Sequence, residues 1–133
     1  MQFNITTDYA IRTVLYLAIR NEIVTSKEIA ESMGIPLYYL FKITAKLVKV
    51  GILQRFQGVN GGFMLQKTPE QITLYDIIEA LESTTKINRC LEEDKYCSRF
   101  ATDNCPVRNF YVKTQNEIED KLKSVTIEKL LKQ

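Results

Sequence analysis

Histidine is absent from the 133 residues. That removes the commonest general base, every Ser–His or Cys–His nucleophilic pair, and the mixed Cys/His patterns of zinc fingers. No phosphate-binding glycine loop opens a helix, and the two absences together argue against an enzyme. Cysteine is scarce, with three in all. An odd count in a chain without a secretory start does not describe a disulfide framework. Long apolar runs are missing too, since Arg, Lys or Gln interrupts each one well short of the roughly 20 residues that a bilayer span needs. Met1–Gln2–Phe3–Asn4 lacks the basic start, apolar block and small-residue cleavage site of a secretory signal. A cytoplasmic location with no membrane partner is therefore expected.

The most informative gap is in acidic residues. None occurs from Ser32 to Pro69, where Lys42, Lys46, Lys49, Arg55 and Lys67 all fall. Residues 1–67 carry eight Lys/Arg against four Asp/Glu, and residues 68–133 carry ten against twelve, so a net charge of +2 hides an uneven distribution. A stretch that adds positive charge and excludes negative charge suits a polyanion such as nucleic acid, although a solvated basic face has the same composition.

What is present suits a globular chain, with 45% apolar and 26% charged residues. The length allows one domain plus an arm. Thr6 or Thr7 can cap a first helix running to about Asn21, with Ala10, Ile11, Val14, Leu15, Leu17 and Ala18 on its apolar face. A short second helix follows Ser26 as N-cap and ends at Met33–Gly34. Ile35–Pro36 opens a third that reaches Val50 and stops at Gly51. Leu40, Ile43, Leu47 and Val50 line its core face, leaving Tyr38, Phe41, Lys42, Ala45, Lys46 and Lys49 outward.

After Gly51 the period shortens. Residues 52–57 and 63–67 read as two strands around Gly58–Val59–Asn60–Gly61–Gly62. A fourth helix spans Leu74 to Glu82 behind Thr73 and Asp76, spaced as a capping box. Periodicity is lost from Ser83 to Asn104. Pro106 then opens a long helix to about Lys123, whose stripe Tyr111, Gln115, Ile118, Leu122 contains one polar residue, and a short helix from Thr126 to Leu131 closes the chain.

Three helices followed by a β-hairpin, with a tight glycine turn between the second and third, is the order of a winged helix-turn-helix. The fold class expected is mainly α with a small β-hairpin wing and a long C-terminal helix. Tyr38, Tyr39 and Lys42 lie where such a helix reaches base edges, and Lys46 and Lys49 suit phosphates. Arg55, Gln57 and Asn60 lie where a wing touches backbone or minor groove. The bland alternative is that the aromatic residues only pack and the glycines only close a hairpin.

Cys90, Cys97 and Cys105 are spaced C-x6-C-x7-C in the polar, aperiodic segment. Thiolates are the usual ligands of iron–sulfur clusters, normally four per cluster. Without histidine, a fourth ligand has to be a carboxylate, a main-chain group or a non-protein molecule. A zinc site with a carboxylate, redox thiols and buried apolar cysteines fit the same spacing.

Thr7–Asp8–Tyr9–Ala10–Ile11–Arg12, Ile35–Pro36–Leu37–Tyr38–Tyr39–Leu40, Gly58–Val59–Asn60–Gly61–Gly62–Phe63, Ile72–Thr73–Leu74–Tyr75–Asp76–Ile77–Ile78–Glu79, the three cysteines and Ser124–Val125–Thr126–Ile127 occur in that order. Together they resemble the Rrf-two family of winged-helix transcriptional regulators, in its iron–sulfur branch, over nearly the whole chain. The resemblance implies a DNA-binding domain at 1–82, a cysteine-bearing loop at 83–105, and a dimerisation helix with a tail at 106–133. It implies a homodimer on double-stranded DNA, with an iron–sulfur cluster near the dimer interface. In IscR-like members a histidine three positions after the third cysteine is a ligand, and Arg108 stands there in this chain. In NsrR-like members an aspartate early in the first helix, from the other subunit, completes the site, and Asp8 matches it. An acid in a first helical turn is also favoured by the helix dipole alone. The set of Cys90, Cys97, Cys105 and Asp8 of the partner subunit points by resemblance to [4Fe–4S] rather than [2Fe–2S]. Many relatives have Glu–Gln after Tyr–Leu in the third helix; Phe41–Lys42 stands there instead, so a different operator preference is expected.

Overall fold

Residues 1–133 are all described by a computed structural model. Its elements are α1 (Ile5–Arg20), α2 (Ser26–Met33), α3 (Leu37–Lys49), β1 (Leu53–Phe56), β2 (Gly62–Leu65), α4 (Leu74–Leu81), α5 (Pro106–Ser124) and α6 (Ile127–Leu131), with single 3-10 turns at Pro69–Gln71, Arg89–Leu91 and Thr102–Asn104. The mainly helical architecture with one two-stranded antiparallel hairpin is the one expected.

Local signals explain most boundaries. Gly34 closes α2 and Asn21 closes α1, both in the left-handed conformation. Thr73 and Asp76 form the capping box of α4, with Asp76 N–H donating to Thr73 Oγ1 at 3.1 Å and Thr73 N–H to Asp76 Oδ2 at 3.0 Å. Three details differ from the sequence reading. Thr25, not Ser26, caps α2, because its hydroxyl accepts from Glu28 N–H at 3.2 Å. Val50 is exposed rather than on the core face, since α3 ends at Lys49 and the chain turns at Gly51, φ 78°.

The start of α1 is the third. Neither Thr6 nor Thr7 caps it; the cap comes from the end of α4. Asn4 donates its backbone N–H to Glu82 Oε1 at 2.7 Å and its side-chain amide to Glu82 Oε2 at 3.0 Å, and the Thr7 hydroxyl donates to Oε1 at 2.8 Å. A carboxylate at a helix N-terminus meets both unpaired N–H groups and the positive end of the dipole.

The core joins Ala10, Val14 and Leu17 of α1, Ile29 of α2, Leu40, Ile43 and Leu47 of α3, Leu53 and Phe63 of the hairpin, and Ile77 and Leu81 of α4. Strand register is Leu53↔Leu65 through Phe56↔Gly62. Val24, between α1 and α2, exchanges both backbone hydrogen bonds with Phe63, at 2.8 and 2.9 Å, and so anchors the hairpin base to the helices. Gly62 is required at this crossing. Its φ is +154°, and a Cβ there would lie 2.2 Å from the Val24 carbonyl oxygen.

The C-terminal third is built differently. α5 buries only Gln115 and packs against α4, whereas α6 returns to the winged domain and places Ile127 in its core. Pairing of Leu74 N–H with Val125 O and of Ile127 N–H with Ile72 O, both at 2.9 Å, fixes that return beside the α4 cap. No helix is long and apolar enough to cross a membrane.

Candidate nucleic-acid interface and cysteine site

α3 is amphipathic by construction. Leu40, Ile43 and Leu47 are fully buried, while Tyr38, Phe41, Lys42, Ala45, Lys46 and Lys49 are exposed. Pro36 caps its N-terminus without a side-chain hydrogen bond and no acid occupies its first turn. Tyr39 N–H and Leu40 N–H both donate to the Pro36 carbonyl, at 3.0 and 3.1 Å, so the main chain itself closes the first turn. Tyr38 and Tyr39 stack with ring centroids 4.2 Å apart, and the Lys42 ammonium sits 5.7 Å from the Tyr38 ring. A hydrogen bond with Tyr39, followed by partial burial, pushes the Tyr38 hydroxyl pKa up. Tyr39 is half-buried and also meets Tyr9 of α1 edge-on at 5.8 Å.

The hairpin carries the remaining polar residues named from sequence. Arg55, Gln57 and Asn60 are all exposed, and the Arg55 guanidinium lies 5.4 Å from the ring of Phe63, its cross-strand partner. Val59 at the turn is fully exposed. Neither α3 nor this turn carries an acid of its own, since both fall in the acid-free interval from Ser32 to Pro69.

The cysteines meet at one place. Cys90, Cys97 and Cys105 are free, half-buried, and line a single cavity of about 400 Å³ with Asn88, Tyr96, Arg108 and Tyr111 among its other walls. Each sulfur faces N–H donors. Asn88 Nδ2 donates to Cys90 Sγ at 3.1 Å, and Arg108 N–H donates to Cys105 Sγ at 3.4 Å. Backbone N–H groups of Ala101 and Arg99 hold the Cys97 thiol below its ordinary range. Within the single chain, no three His, Cys, Asp or Glu side chains converge closely enough to hold one metal ion. Asp8 is exposed on α1 and ion-paired with Arg12 of the next turn at 2.6 Å.

Several residues that organise these surfaces were not singled out by sequence. Arg108, read from sequence only as a residue that cannot be a ligand, donates its Nε to the Cys90 carbonyl at 3.1 Å and ties the loop to α5. Arg12 donates to the Met33 carbonyl at 3.2 Å, linking α1 to the turn before α3. Gln115 accepts from Ile87 N–H at 2.8 Å and donates to the Thr85 carbonyl and Glu119 Oε1, both at 2.9 Å. Lys86 pairs with Glu119 at 3.1 Å. Burial alone would raise the Glu119 carboxyl pKa, but the bonds from Gln115 and Lys86 outweigh it and hold it below the usual range. The one signal for Gln115 was its position as the polar break in an apolar stripe.

A helix that buries one apolar face and turns a cationic face outward, followed by a glycine-turned hairpin, defines a winged-helix DNA-binding protein. The Rrf2 family model, described as an iron-dependent transcriptional regulator, matches residues 3–133. The chain belongs to the Rrf2 family, which is one of DNA-binding transcriptional regulators and not of enzymes.

Over 132 residues the chain is 36% identical to a protein of Aquifex aeolicus named as an HTH-type transcriptional regulator, covering 98% of this chain and 92% of that one. It is 31% identical over 96 residues to the transcriptional regulator NsrR of Shouchella clausii, covering 71% of this chain and 64% of the relative. Among solved structures, IscR of T. potens superposes with a TM-score of 0.78 at 26% identity, covering 99% of this chain and 87% of that one. CymR, the global cysteine regulator of B. subtilis, superposes with a TM-score of 0.80 at 24% identity over 98% and 95%, which shows the shared fold.

Proposed function

We propose that this chain is a homodimeric, cytoplasmic regulator that binds double-stranded operator DNA and whose affinity is set by an iron–sulfur cluster. Cys90, Cys97 and Cys105 of one subunit hold the cluster and Asp8 of the partner subunit completes it, in a [4Fe–4S] rather than a [2Fe–2S] site. The observation that carries this reading is the convergence of three thiols on one cavity, each sulfur supplied with N–H donors. Such donors stabilise thiolate ligands and tune the potential of what they bind. The donor set fits in type, three thiols with N–H donors at each sulfur, and the likeness to NsrR and IscR supports the reading. When bound, the cluster supplies iron that scarcity, oxidants or nitric oxide can remove or modify, most readily where one ligand is oxygen rather than sulfur.

The protein's own residues carry the response. We divide the chain into a DNA-binding unit at 1–82, a cysteine loop at 83–105 and a dimerisation segment at 106–133, with α6 folded back onto the first unit. Tyr38, Tyr39 and Lys42 face base edges, Lys46 and Lys49 face phosphates, and Arg55, Gln57 and Asn60 of the wing reach the backbone or minor groove. Asp8 is one side of a short path to α3. Its partner Arg12 holds the Met33 carbonyl, and Tyr9 beside them packs on Tyr39 at the start of α3. Drawing Asp8 toward the neighbouring subunit takes one partner from Arg12, and a change at Arg12 reaches the turn that aims the recognition helix. This is a local trigger on an element whose placement decides affinity.

Anaerobic purification tests the reading. The expected protein is coloured, contains iron and acid-labile sulfide, and loses both on Cys97→Ser substitution. A colourless wild-type protein free of iron and sulfide rejects it.

One observation favours a second reading, a cluster-free thiol- or zinc-responsive regulator. Backbone N–H groups of Ala101 and Arg99 hold the Cys97 thiol below its ordinary range, as a responsive thiol requires. Wild-type protein that keeps thiol-responsive DNA binding without iron, and loses that response on Cys97→Ser substitution, would establish that alternative.

A further inference from the structure

α3 exposes two parallel rows that differ in chemistry. At i, i+4 spacing, Leu37, Phe41 and Ala45 form one row that ends in Lys49; Tyr38, Lys42 and Lys46 form the other. Leu37 is 45% exposed, Tyr38 57% and Phe41 53%, so two large apolar side chains and a tyrosine stand in solvent at the leading end of the helix. A monomeric surface gains nothing from this arrangement, and the core is complete without it.

The adjoining charge identifies the occupant. Lysines follow on both rows, and no carboxylate occurs between Ser32 and Pro69, so the face suits a polyanion rather than a mixed-charge protein surface. The exposed face of α3 also lacks Asn, Gln, Arg, Asp and Glu. It therefore has no bidentate reader of adenine and no carboxylate to accept from the cytosine amino group. What remains is lysine for guanine, the Tyr38 hydroxyl and apolar side chains. The one apolar group that the major groove presents is the thymine 5-methyl. Leu37 to Ala45 spans about 12 Å of helix, which is three to four base-pair steps of roughly 3.4 Å.

We propose that Leu37 and Phe41 read thymine methyl groups in the operator half-site, with Lys46 and Lys49 holding the flanking strand. This rests on the proposal that α3 enters the major groove, and it adds which bases the helix selects.

The test starts by selecting duplexes from a random pool with the full-length dimer at fixed salt. Each thymine of the selected half-site is then replaced by deoxyuridine, which removes the methyl and keeps every hydrogen-bonding group. At one or two positions the affinity should fall about fourfold per methyl, the factor expected for one methyl-sized apolar contact. Phe41→Ala should abolish the difference between thymine and uracil at its position while leaving the salt dependence unchanged. Lys46→Ala should lower the salt slope by about one and keep the methyl effect. Phe41 is exposed, so circular dichroism and oligomeric state should match wild type. Tight binding to a selected duplex that is indifferent to every methyl overturns the proposal and leaves DNA binding intact. Failure to enrich any duplex overturns both. A Phe41→Ala protein that changes its oligomeric state but keeps the methyl effect assigns the row to a protein contact and overturns it as well.

Discussion

Gln115 shows how much one side chain can organise. It is 4% exposed and is the only residue that α5 buries, although it is polar and lies in an otherwise apolar stripe. All three of its hydrogen bonds are internal, and two hold main-chain groups of the irregular segment leading to the first cysteine. Gln115→Leu keeps the volume but leaves Ile87 N–H and the Thr85 carbonyl without partners, at about 1–3 kcal/mol for each group that stays buried. The expected protein is less stable in urea by roughly 2 kcal/mol, with its midpoint lowered and its slope unchanged. Hydrogen exchange at Ile87 should rise more than in the α3 core. Equal loss of protection at both places would mean that Gln115 supports the fold as a whole and not the loop.

At the scale of elements, the caps explain what could be read in advance. Thr73 and Asp76 close α4 within four residues of sequence, and Gly34 ends α2 through its own backbone, so both were legible. The start of α1 was not, because its cap is a carboxylate 78 residues away on α4. Val50 was misjudged because helical periodicity does not register where the helix stops. The outward residues of α3 followed from period alone, and so did the hairpin. The cysteines were named from their spacing, but the bonds that fix the loop carrying them, from Gln115 to Ile87 and Thr85 and from Arg108 to Cys90, act across 28 to 30 and 18 positions. The α4 cap allows a direct check. Thr73→Ala removes the hydroxyl that accepts Asp76 N–H, which costs about 1 kcal/mol and lowers the melting temperature by roughly 3–5 °C. No change in thermal midpoint would show that the Thr73–Thr126 bridge, and not the cap, holds that corner.

For the whole molecule the unresolved demand is on α5. The helix is 19 residues long and contributes no apolar side chain to the core, yet Val107 is 53% and Phe110 64% exposed along it, with Tyr111, Ile118 and Leu122 only half-covered. Met1, Phe3 and Ile5 add exposed apolar surface at the other end of the chain. A helix of about 28 Å that packs so little of itself is marginal alone, which is the demand that the proposed homodimer answers. A second copy would also supply what the proposed cluster site and operator reading need, namely Asp8 from the partner subunit and a second recognition helix for a second half-site. Phe110→Glu should therefore give a monomer by sedimentation equilibrium, with unchanged helical content because the side chain makes no core contact. Its affinity for a full operator should fall on the order of a hundredfold or more, since the second half-site is no longer tethered to the first. Its affinity for an isolated half-site should stay within a factor of two. A Phe110→Glu protein that remains a dimer moves the interface away from this face. A wild-type chain that sediments as a monomer at micromolar concentration removes the partner that Asp8 requires, and the proposed ligand set fails with it.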